Sequence, residues 1–204
     1  MVMSSFEKLQ FCYNVHMSID RIVYSGKCNG VEIVIRYPVI KDIEKLLEFI
    51  NTASKEQTFI LPQGEQFTFE EETKYVDDFI KKIEDKRAVK LLAFQEDELI
   101  GVADVYLKDK VEKHVGVFGI IIVPKWRGKG VGTLLLKQTL AEAEKHIRSV
   151  RIITLGVFGN NAIAKKLYEK MGFVEYGKLK EGIQHRGEFV DHIYMFKKIQ
   201  NGTR

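Results

Sequence analysis

Hydrophobic positions along the chain recur at helical spacing in four stretches. In the first, Ile43, Leu46, Leu47 and Ile50 fall on one face of a helix. The other three show similar intervals of three or four residues, and one follows a threonine with a glutamate three residues later, the pattern of a capping box. We therefore predict helices from Asp42, after Thr68 with Glu71 in its first turn, from Val131 to about His146, and from Asn160 or Asn161 to Met171–Gly172.

Short apolar runs between these stretches, bounded by turn residues, predict strands. The continuous run from Phe118 to Val123 predicts a strand that is buried on both faces. The predicted order is β-β-α-α-β-β-β-α-β-α-β-β, which favours an α/β fold with one mixed sheet and helices on both faces. The predicted strands are SIDRIVY, VEIVIRY, AVKLLAF, LIGVADVYL, HVGVFGIIIV, RIITLGVF, FVEYGKLKEG and GEFVDHIYMFKK.

The composition is typical of one globular domain. The 204 residues are 45% hydrophobic, and no apolar run approaches the ~18 residues that cross a bilayer. We predict an N-terminal extension over residues 1–28 (an extra helix, strand or arm) and a single domain over 29–204. The first 20 residues lack the pattern of a signal peptide, and Cys12 and Cys28 are too few for a disulfide scaffold. The sequence therefore predicts a cytoplasmic protein.

The stretch Pro124–Leu136 (PKWRGKGVGTLLL) places three glycines between a predicted strand and a predicted helix. It matches neither the Walker A pattern nor the G-x-G-x-x-G fingerprint of dinucleotide-binding proteins. Glycine nevertheless lets main-chain N–H groups approach a ligand, and the first N–H groups of a helix attract anions. Arg127 and Lys129 add positive charge beside them. These features favour a phosphate site, although a flexible turn with solvated cations stays open on the residues alone.

The short helix near residue 165 carries a second candidate site. At 100° per residue, Asn161, Ala164 and Tyr168 fall on one stripe, while Ile163 and Leu167 fall on the other side and are expected to pack on the sheet. The stripe offers an amide, a methyl group and a phenol to a flat ligand. Two plainer alternatives stay open, since Asn161 can be a helix N-cap and Tyr168 a core residue.

Together and in this order, the two motifs resemble those of the GNAT superfamily of N-acetyltransferases. RGKGVG at residues 127–132 is similar to that family's R/Q-x-x-G-x-G/A signature for acetyl-CoA, and residues 122–126 are similar to its V-x-P-x-aromatic lead-in. The stretch 161–173 matches the family's second motif, and the resemblance covers residues 30–198. It implies a GNAT-type fold with a mixed, mostly antiparallel central sheet and helices on both faces.

The resemblance also implies a role for each motif. The glycine loop would bind the pyrophosphate of CoA through main-chain N–H groups, and the preceding strand would pair with the pantetheine arm. The amide of Ile122 would polarise the thioester carbonyl, Tyr168 would protonate the leaving thiolate, and Asn161 would bond the pantetheine. The implied donor-side residues are Ile120, Ile121, Ile122 and Val123 of the strand, Arg127, Gly128, Lys129, Gly130, Val131, Gly132 and Thr133 of the loop, and Asn161, Ala164 and Tyr168 of the helix.

The acceptor side departs from the family pattern. Val117 stands where many members carry a glutamate that acts as a base, so the base lies elsewhere or the amine loses its proton to water. The candidate bases are Glu65, Glu70, Asp104, His114, His185, Asp191 and His192. The loop Thr58–Phe67 and the C-terminal hairpin are expected to form the acceptor pocket. The predicted acceptor-side residues are Phe59, Phe67, Asp104, Val117, Phe118, His185 and Asp191.

The sequence thus predicts an N-acyltransferase that moves an acetyl group from acetyl-CoA to a primary amine, either a small molecule or a protein N-terminus. Transfer is expected by direct attack in a ternary complex, with no metal, no membrane and no nucleic acid, and a homodimer is compatible with the sequence. The alternative is a non-catalytic acyl-CoA-binding regulatory module. Nucleic-acid binding is disfavoured because the net charge is only +4.

Overall fold

A computed structural model describes residues 21–199. The described part contains eight strands and four helices in the predicted order, so the predicted α/β class is confirmed. The strands are β1 (Ile22–Cys28), β2 (Val31–Arg36), β3 (Ala88–Gln95), β4 (Glu98–Leu107), β5 (Val115–Ile122), β6 (Ile152–Phe158), β7 (Val174–His185) and β8 (Glu188–Lys198). The helices are α1 (Ile43–Lys55), α2 (Phe69–Glu84), α3 (Val131–His146) and α4 (Ala162–Lys170).

All eight strands form one sheet in the order β1-β2-β3-β4-β5-β6-β8-β7. Every neighbouring pair is antiparallel except β5 and β6, which are parallel and joined through α3. The sheet is therefore mixed and mostly antiparallel, as the family resemblance implied. The position of β8 between β6 and β7 makes β6 an interior strand.

Helices cover the sheet on both sides, and each side has its own apolar core. On the α3 face, Leu135 of α3 and Phe173 after α4 join a core with Leu91 of β3. On the α1 face, Leu46 of α1 and Val76 of α2 pack on the opposite side of the same strands. Strand β3 is consequently buried on both faces, because its alternating side chains enter two different cores.

Strand β5 was expected to be buried on both faces up to Val123, and this expectation is wrong. Gly119 is exposed, and Ile120–Ile122 are only half-buried. The cause is the loss of the neighbouring strand, since β6 stops pairing with β5 beyond Val117. The apolar run from Phe118 to Val123 therefore lies mostly in a part of β5 that has no neighbouring strand on its β6 side.

The N-terminal boundary also differs from the expected one. Strand β1 pairs with β2 from Cys28 opposite Val31 to Ile22 opposite Arg36, so it belongs to the main sheet. The tight turn between them consists of Asn29 and Gly30, whose φ angles of 48° and 86° suit a two-residue hairpin turn. A boundary between residues 28 and 29 would cut this hairpin, so the domain includes residues from 22 onward. Residues 1–20 of the extension predicted over 1–28, with Cys12, lie outside the described residues.

Two predicted helix boundaries are confirmed by their end contacts. Thr68 caps α2 by accepting the N–H of Glu71 at 3.2 Å, and the carboxylate of Glu71 accepts the N–H of Thr68 at 2.8 Å. Helix α4 ends before Gly172, whose φ of 84° is the left-handed conformation that stops a helix. The predicted orientation of α4 is partly wrong, because Ile163 is 85% exposed whereas Tyr168 faces the sheet.

Candidate active site

The central feature of the site is a divergence of two neighbouring strands. Strands β5 and β6 pair only where Val115–Val117 lie beside Ile152–Thr154. Beyond this point, and within residues 21–199, β5 continues to Ile122 paired with β4 alone, and β6 continues to Phe158 paired with β8 alone. The gap between the second halves of the two strands is called the β5–β6 cleft below. It leaves a row of main-chain groups on β5 without a strand partner.

The direction of these main-chain groups follows from one hydrogen bond. The N–H of Val123 donates to the carbonyl of Ile100 at 3.1 Å, so the main-chain N–H and C=O groups of Val123 point toward β4. The main-chain groups of successive residues in a strand point in opposite directions. Those of Ile121 therefore also point to β4, whereas those of Ile120 and Ile122 point into the cleft. The expectation that all four residues offer main-chain groups to a ligand is therefore wrong for Ile121 and Val123.

The glycine loop lies at the end of β5 and begins helix α3. Gly128 and Gly130 have φ angles of 72° and 84°, conformations that residues with a Cβ rarely adopt. The first helical hydrogen bond runs from the N–H of Leu134 to the carbonyl of Gly130 at 3.0 Å. The N–H groups at the start of the helix therefore lack an intrahelical partner, which suits an anion such as the pyrophosphate of CoA. A Cβ on Gly128 would meet no atom within 4 Å, so this side of the loop is open.

The two cations of the loop have different surroundings. The guanidinium of Arg127 forms a two-pronged ion pair with Glu56 at the end of α1, one contact measuring 2.7 Å. Its Nε donates to the carbonyl of Ile122 at 2.8 Å. Arg127 was expected to face the phosphates of CoA, but its charge is already paired with a carboxylate. The ammonium of Lys129 lies 5.0 Å from the centre of the Trp126 ring.

Tyr168 of α4 lies on the α3 face beside the point where the cleft begins. Its ring contacts Phe118 of β5 and Phe173, with centroid distances of 6.2 and 6.0 Å. The side chain is 8% exposed, and burial raises the pKa of its phenol to about 12. The hydroxyl makes no hydrogen bond with any of residues 21–199, so it is protonated at neutral pH and free to donate.

The first turn of α4 supplies an amide next to this phenol. The Oδ1 atom of Asn161 accepts the N–H of Ala164 at 3.1 Å, so Asn161 is the N-cap of α4. Its Nδ2 atom has no partner in the described part of the chain and remains available as a donor. Ala164 packs against the core of the α3 face. The N-cap role and a ligand role of Asn161 are therefore compatible.

On the α1 face, two glycines border the cleft at the same level. Val117 of β5 and Thr154 of β6 form the last residue pair of the two strands. Gly119 and Gly156 each follow two residues later, on the same face. Neither contributes a side chain, so the groups that border this face of the cleft come from the neighbouring strands β4 and β8.

Asp104 of β4 lies beside Gly119, its partner on β5. Its Oδ1 atom is 3.6 Å from where a Cβ of Gly119 would stand, and its Oδ2 atom accepts the ammonium of Lys90 at 3.0 Å. Lys90 is 3% exposed and also donates to the hydroxyl of Tyr75 at 3.2 Å. Burial alone would lower the pKa of Lys90, but the Asp104 carboxylate and the Tyr75 hydroxyl hold it above its usual value. Oδ1 has no hydrogen-bond partner among the described residues.

His192 of β8 lies on the other side of the cleft, across Gly156. Its Nε2 atom occupies the place where a Cβ of Gly156 would stand, so only glycine leaves room for this ring. The ring stacks on Tyr194 with a centroid distance of 4.3 Å. Burial lowers the pKa of His192, so the imidazole is neutral at pH 7.

The loop between α1 and α2 closes the end of the cleft. Phe59 packs on Phe158 of β6 and on His185, with centroid distances of 5.8 and 4.9 Å. His185 is 3% exposed, and its two ring nitrogens lie 3.2 Å from the amide of Asn160 and 3.2 Å from the carbonyl of Gln57. His185 therefore joins the hairpin to the loop and has no nitrogen free for a substrate.

The remaining predicted acceptor-side residues are not all on the α1 face. Phe118 points to the α3 face, where it contacts Tyr168, and so lies on the opposite face of β5 from Val117. Asp191 is engaged by Lys178 at 3.5 Å and by the N–H of Glu181. Val117 lies on the α1 face but is only half-exposed. Phe67, just before α2, is held through its main chain by the side-chain amide of Asn51 of α1.

The paired glycines were missed by the sequence reasoning. An isolated glycine inside a strand pattern signals a close approach of another group, and both Gly119 and Gly156 interrupt apolar strands. The signal was therefore present, but its meaning depends on the alignment of β5 with β6. Over residues 21–199 no cluster of His, Cys, Asp or Glu could hold a metal ion, and no described helix is long and apolar enough to cross a membrane.

Comparison with known proteins agrees with this geometry. The model of the acetyltransferase (GNAT) family matches residues 56–173. The L-amino acid N-acetyltransferase AaaT of Escherichia coli (strain K12) is 31% identical over 117 residues, which cover 56% of this chain and 72% of the relative.

Solved structures agree with the fold. A GNAT acetyltransferase from Streptococcus pneumoniae is 28% identical, has a TM-score of 0.75, and matches 82% of this chain and 99% of its own. A Salmonella typhimurium protein solved with its cofactor acetyl-CoA shares the fold at 16% identity, with a TM-score of 0.73, over 84% of this chain and 96% of its own. The family model covers more than half of the sequence and includes the glycine loop, the start of the cleft and α4. The chain belongs to the GNAT family of acetyltransferases and is an N-acetyltransferase with acetyl-CoA as its donor.

Proposed function

We propose that this enzyme transfers the acetyl group of acetyl-CoA directly to a primary amine within the β5–β6 cleft. The donor would enter along β5 from the glycine loop, and the amine would enter from the α1 face. The observation that carries the proposal is the divergence of β5 and β6, with the free phenol of Tyr168 on one face and a glycine-lined opening on the other.

On the donor side, three groups of this chain would bind acetyl-CoA, which when bound supplies the acetyl group as a thioester. The N–H groups from Gly128 to Thr133 would hold the pyrophosphate, as the open side of Gly128 supports. The cleft-facing N–H groups of Ile120 and Ile122 would pair with the pantetheine arm and the thioester carbonyl. The Nδ2 atom of Asn161 would donate to the pantetheine.

Tyr168 would act as the general acid. A phenol with a pKa of about 12 remains protonated throughout the physiological range, so its proton is available whenever the thiolate leaves. The proton moves from Oη of Tyr168 to the CoA sulfur as the C–S bond breaks and the N–C bond forms. Because a CoA thiol is more acidic than this phenol, transfer of the proton to a free thiolate is uphill, so it would have to accompany cleavage of the C–S bond, and the phenolate would regain its proton from solvent.

Direct transfer is favoured over a covalent acetyl-enzyme. Cys28, the cysteine within the described part of the chain, lies 3.6 Å from the carbonyl of Lys129 at the glycine loop and not beside Tyr168. Among the residues that line the cleft, neither a thiol nor a serine paired with a base is present. The amine would therefore attack the thioester itself in a ternary complex.

The acceptor side supports a positively charged or polar amine. The free Oδ1 atom of Asp104 borders the cleft beside Gly119, and Lys90 keeps the carboxylate in place. Glu72 is also buried on this face; burial raises its pKa, while the charge of Lys90 lowers it. A small-molecule amine or a peptide N-terminus fits this chemistry. A homodimer and a cytoplasmic location stay predictions.

The test is the release of free CoA thiol from acetyl-CoA with a panel of amino acids, polyamines, aminoglycosides and peptides. We expect thiol release that depends on one class of amine, together with an equal amount of N-acetylated product. Mass spectrometry of the enzyme with acetyl-CoA alone should show no added acetyl group. Binding of CoA without thiol release for any amine would instead support the non-catalytic acyl-CoA-binding module, which the free phenol of Tyr168 disfavours.

A further inference from the structure

We infer that His192 is the general base that takes the proton from the attacking amine. This inference rests on the proposed transfer to an amine in the β5–β6 cleft and names the residue that replaces the carboxylate absent at Val117. It adds a base on β8, a strand outside the residues that match the family model.

The position of His192 follows from the alternation of β8. Ile193 and Met195 point into the core of the α3 face, so His192 and Tyr194 point to the α1 face. His192 is the pairing partner of Phe158, and its ring lies over Gly156, on the border of the cleft. Its Nε2 atom is thus directed along β6 from Phe158 toward Gly156 and the point where the strands separate.

The imidazole is free to accept a proton. Neither ring nitrogen makes a hydrogen bond with any residue of the described chain, in contrast to His185, whose two nitrogens are both engaged. Burial is the only cause that moves the pKa of His192, and it moves it downward. The ring is therefore neutral at pH 7, as a base must be before the reaction.

The titratable groups around His192 do not take over this role. Tyr194 stacks on its ring. On the opposite side of the cleft, Asp104 is bound to Lys90 through Oδ2 and keeps Oδ1 free, but a carboxylate is intrinsically a weaker base than an imidazole. On the hairpin, Asp191 points to the other side of β8 and pairs with Lys178. His192 is consequently the cleft-lining group with an unpaired basic nitrogen that is neutral at working pH.

The proton balance uses both faces of the sheet. As the amine nitrogen forms its bond to the acetyl carbon, one N–H proton moves to Nε2 of His192, and the imidazolium later releases it to solvent. Tyr168 would donate its proton to the sulfur from the α3 face as the C–S bond breaks at the same centre, and its phenolate would regain a proton from solvent. Two separate proton transfers are therefore needed, one on each side of β5.

The experiment compares His192→Gln with the wild type at saturating acetyl-CoA, with kcat/KM for the amine measured from pH 5 to 9. We expect kcat to fall about 10²- to 10⁴-fold while the Kd for CoA stays unchanged. The wild-type profile should lose activity as pH falls through a value below the ordinary ~6.5 of histidine, and the variant should lack this limb. Any limb that both proteins share belongs to the amine. His146→Gln, at the end of α3 opposite the glycine loop, is the matched control and should behave as the wild type.

A second variant tests whether an imidazole at this position is what restores activity. His192→Ala leaves space over Gly156, and added imidazole should restore part of its activity. Full activity of His192→Gln, an unchanged acid limb, or no rescue of His192→Ala would overturn the inference while leaving the proposed function intact. Absence of thiol release in the wild type with every amine would instead refute the proposed function.

Discussion

The turn between β1 and β2 contacts the glycine loop, and this contact makes a quantitative prediction. The Nδ2 atom of Asn29 donates to the carbonyl of Lys129 at 2.9 Å, and a Cβ on Gly130 would lie 3.1 Å from the same nitrogen. Holding this carbonyl should keep the adjoining N–H groups turned toward the pyrophosphate. Asn29→Gly removes the amide but keeps the turn, since glycine accepts the φ of 48°.

The expected size follows from one exposed hydrogen bond. Such a bond has a net value of about 0.5–1.5 kcal/mol, so Asn29→Gly should raise KM for acetyl-CoA about two- to tenfold. We expect kcat and KM for the amine to stay within twofold of the wild type. Tyr24→Phe is the matched control, because it removes a 3.1 Å hydrogen bond to the carbonyl of Lys27 within the same hairpin.

The decisive assay replaces acetyl-CoA with S-acetylpantetheine, which lacks the pyrophosphate. The wild type should prefer acetyl-CoA, and Asn29→Gly should lose part of this preference while its kcat/KM for S-acetylpantetheine is unchanged. Equal losses with both donors would show that the substitution acts only through general stability. An unchanged preference would refute the role of Asn29 at the loop.

Three further predictions concern the donor side. Tyr168→Phe should lower kcat with little change in the Kd for CoA, as steady-state kinetics and calorimetry can measure; an unchanged kcat would show that water supplies the proton. Burial raises the pKa of Tyr168 from 10.0 to about 12, so the stability that it contributes is present below pH ~10 and lost as pH rises toward 12. Urea unfolding at pH 9 to 11 should therefore show a steeper loss, of at most about 3 kcal/mol in total, in the wild type than in Tyr168→Phe. Arg127→Ala combined with Glu56→Gln should change the Kd for CoA less than threefold, because the two charges already cancel each other. A steep loss of CoA affinity in this double variant would mean that Arg127 binds the phosphates.

The order of strands and helices could be predicted because each element carries its own local pattern. The capping residues of α2 and the helix start at Val131 are examples, since both depend on neighbouring residues only. The orientation of α4 was harder, because spacing defines a stripe but not which stripe meets the sheet. In the structure, the stripe that contains Tyr168 packs on the sheet, and Ile163 is exposed to solvent.

The candidate site could be predicted as far as its motifs extend. The glycine loop and Tyr168 lie in contiguous motifs, whereas the acceptor side is assembled from distant strands. Gly119 and Gly156 face each other only because β5 and β6 are parallel neighbours. Arg127 finds its partner 71 residues away in the sequence, a pairing that no local pattern contains.

The most direct test of the account is amide hydrogen exchange along β5 with and without CoA. In the free protein the N–H groups of Ile121 and Val123 should be protected by β4, and those of Ile120 and Ile122 should exchange quickly. CoA should slow exchange at Ile120 and Ile122 while leaving their neighbours unchanged. Protection elsewhere on CoA binding, with Ile120 and Ile122 unaffected, would contradict the claim that the donor lies in the β5–β6 cleft.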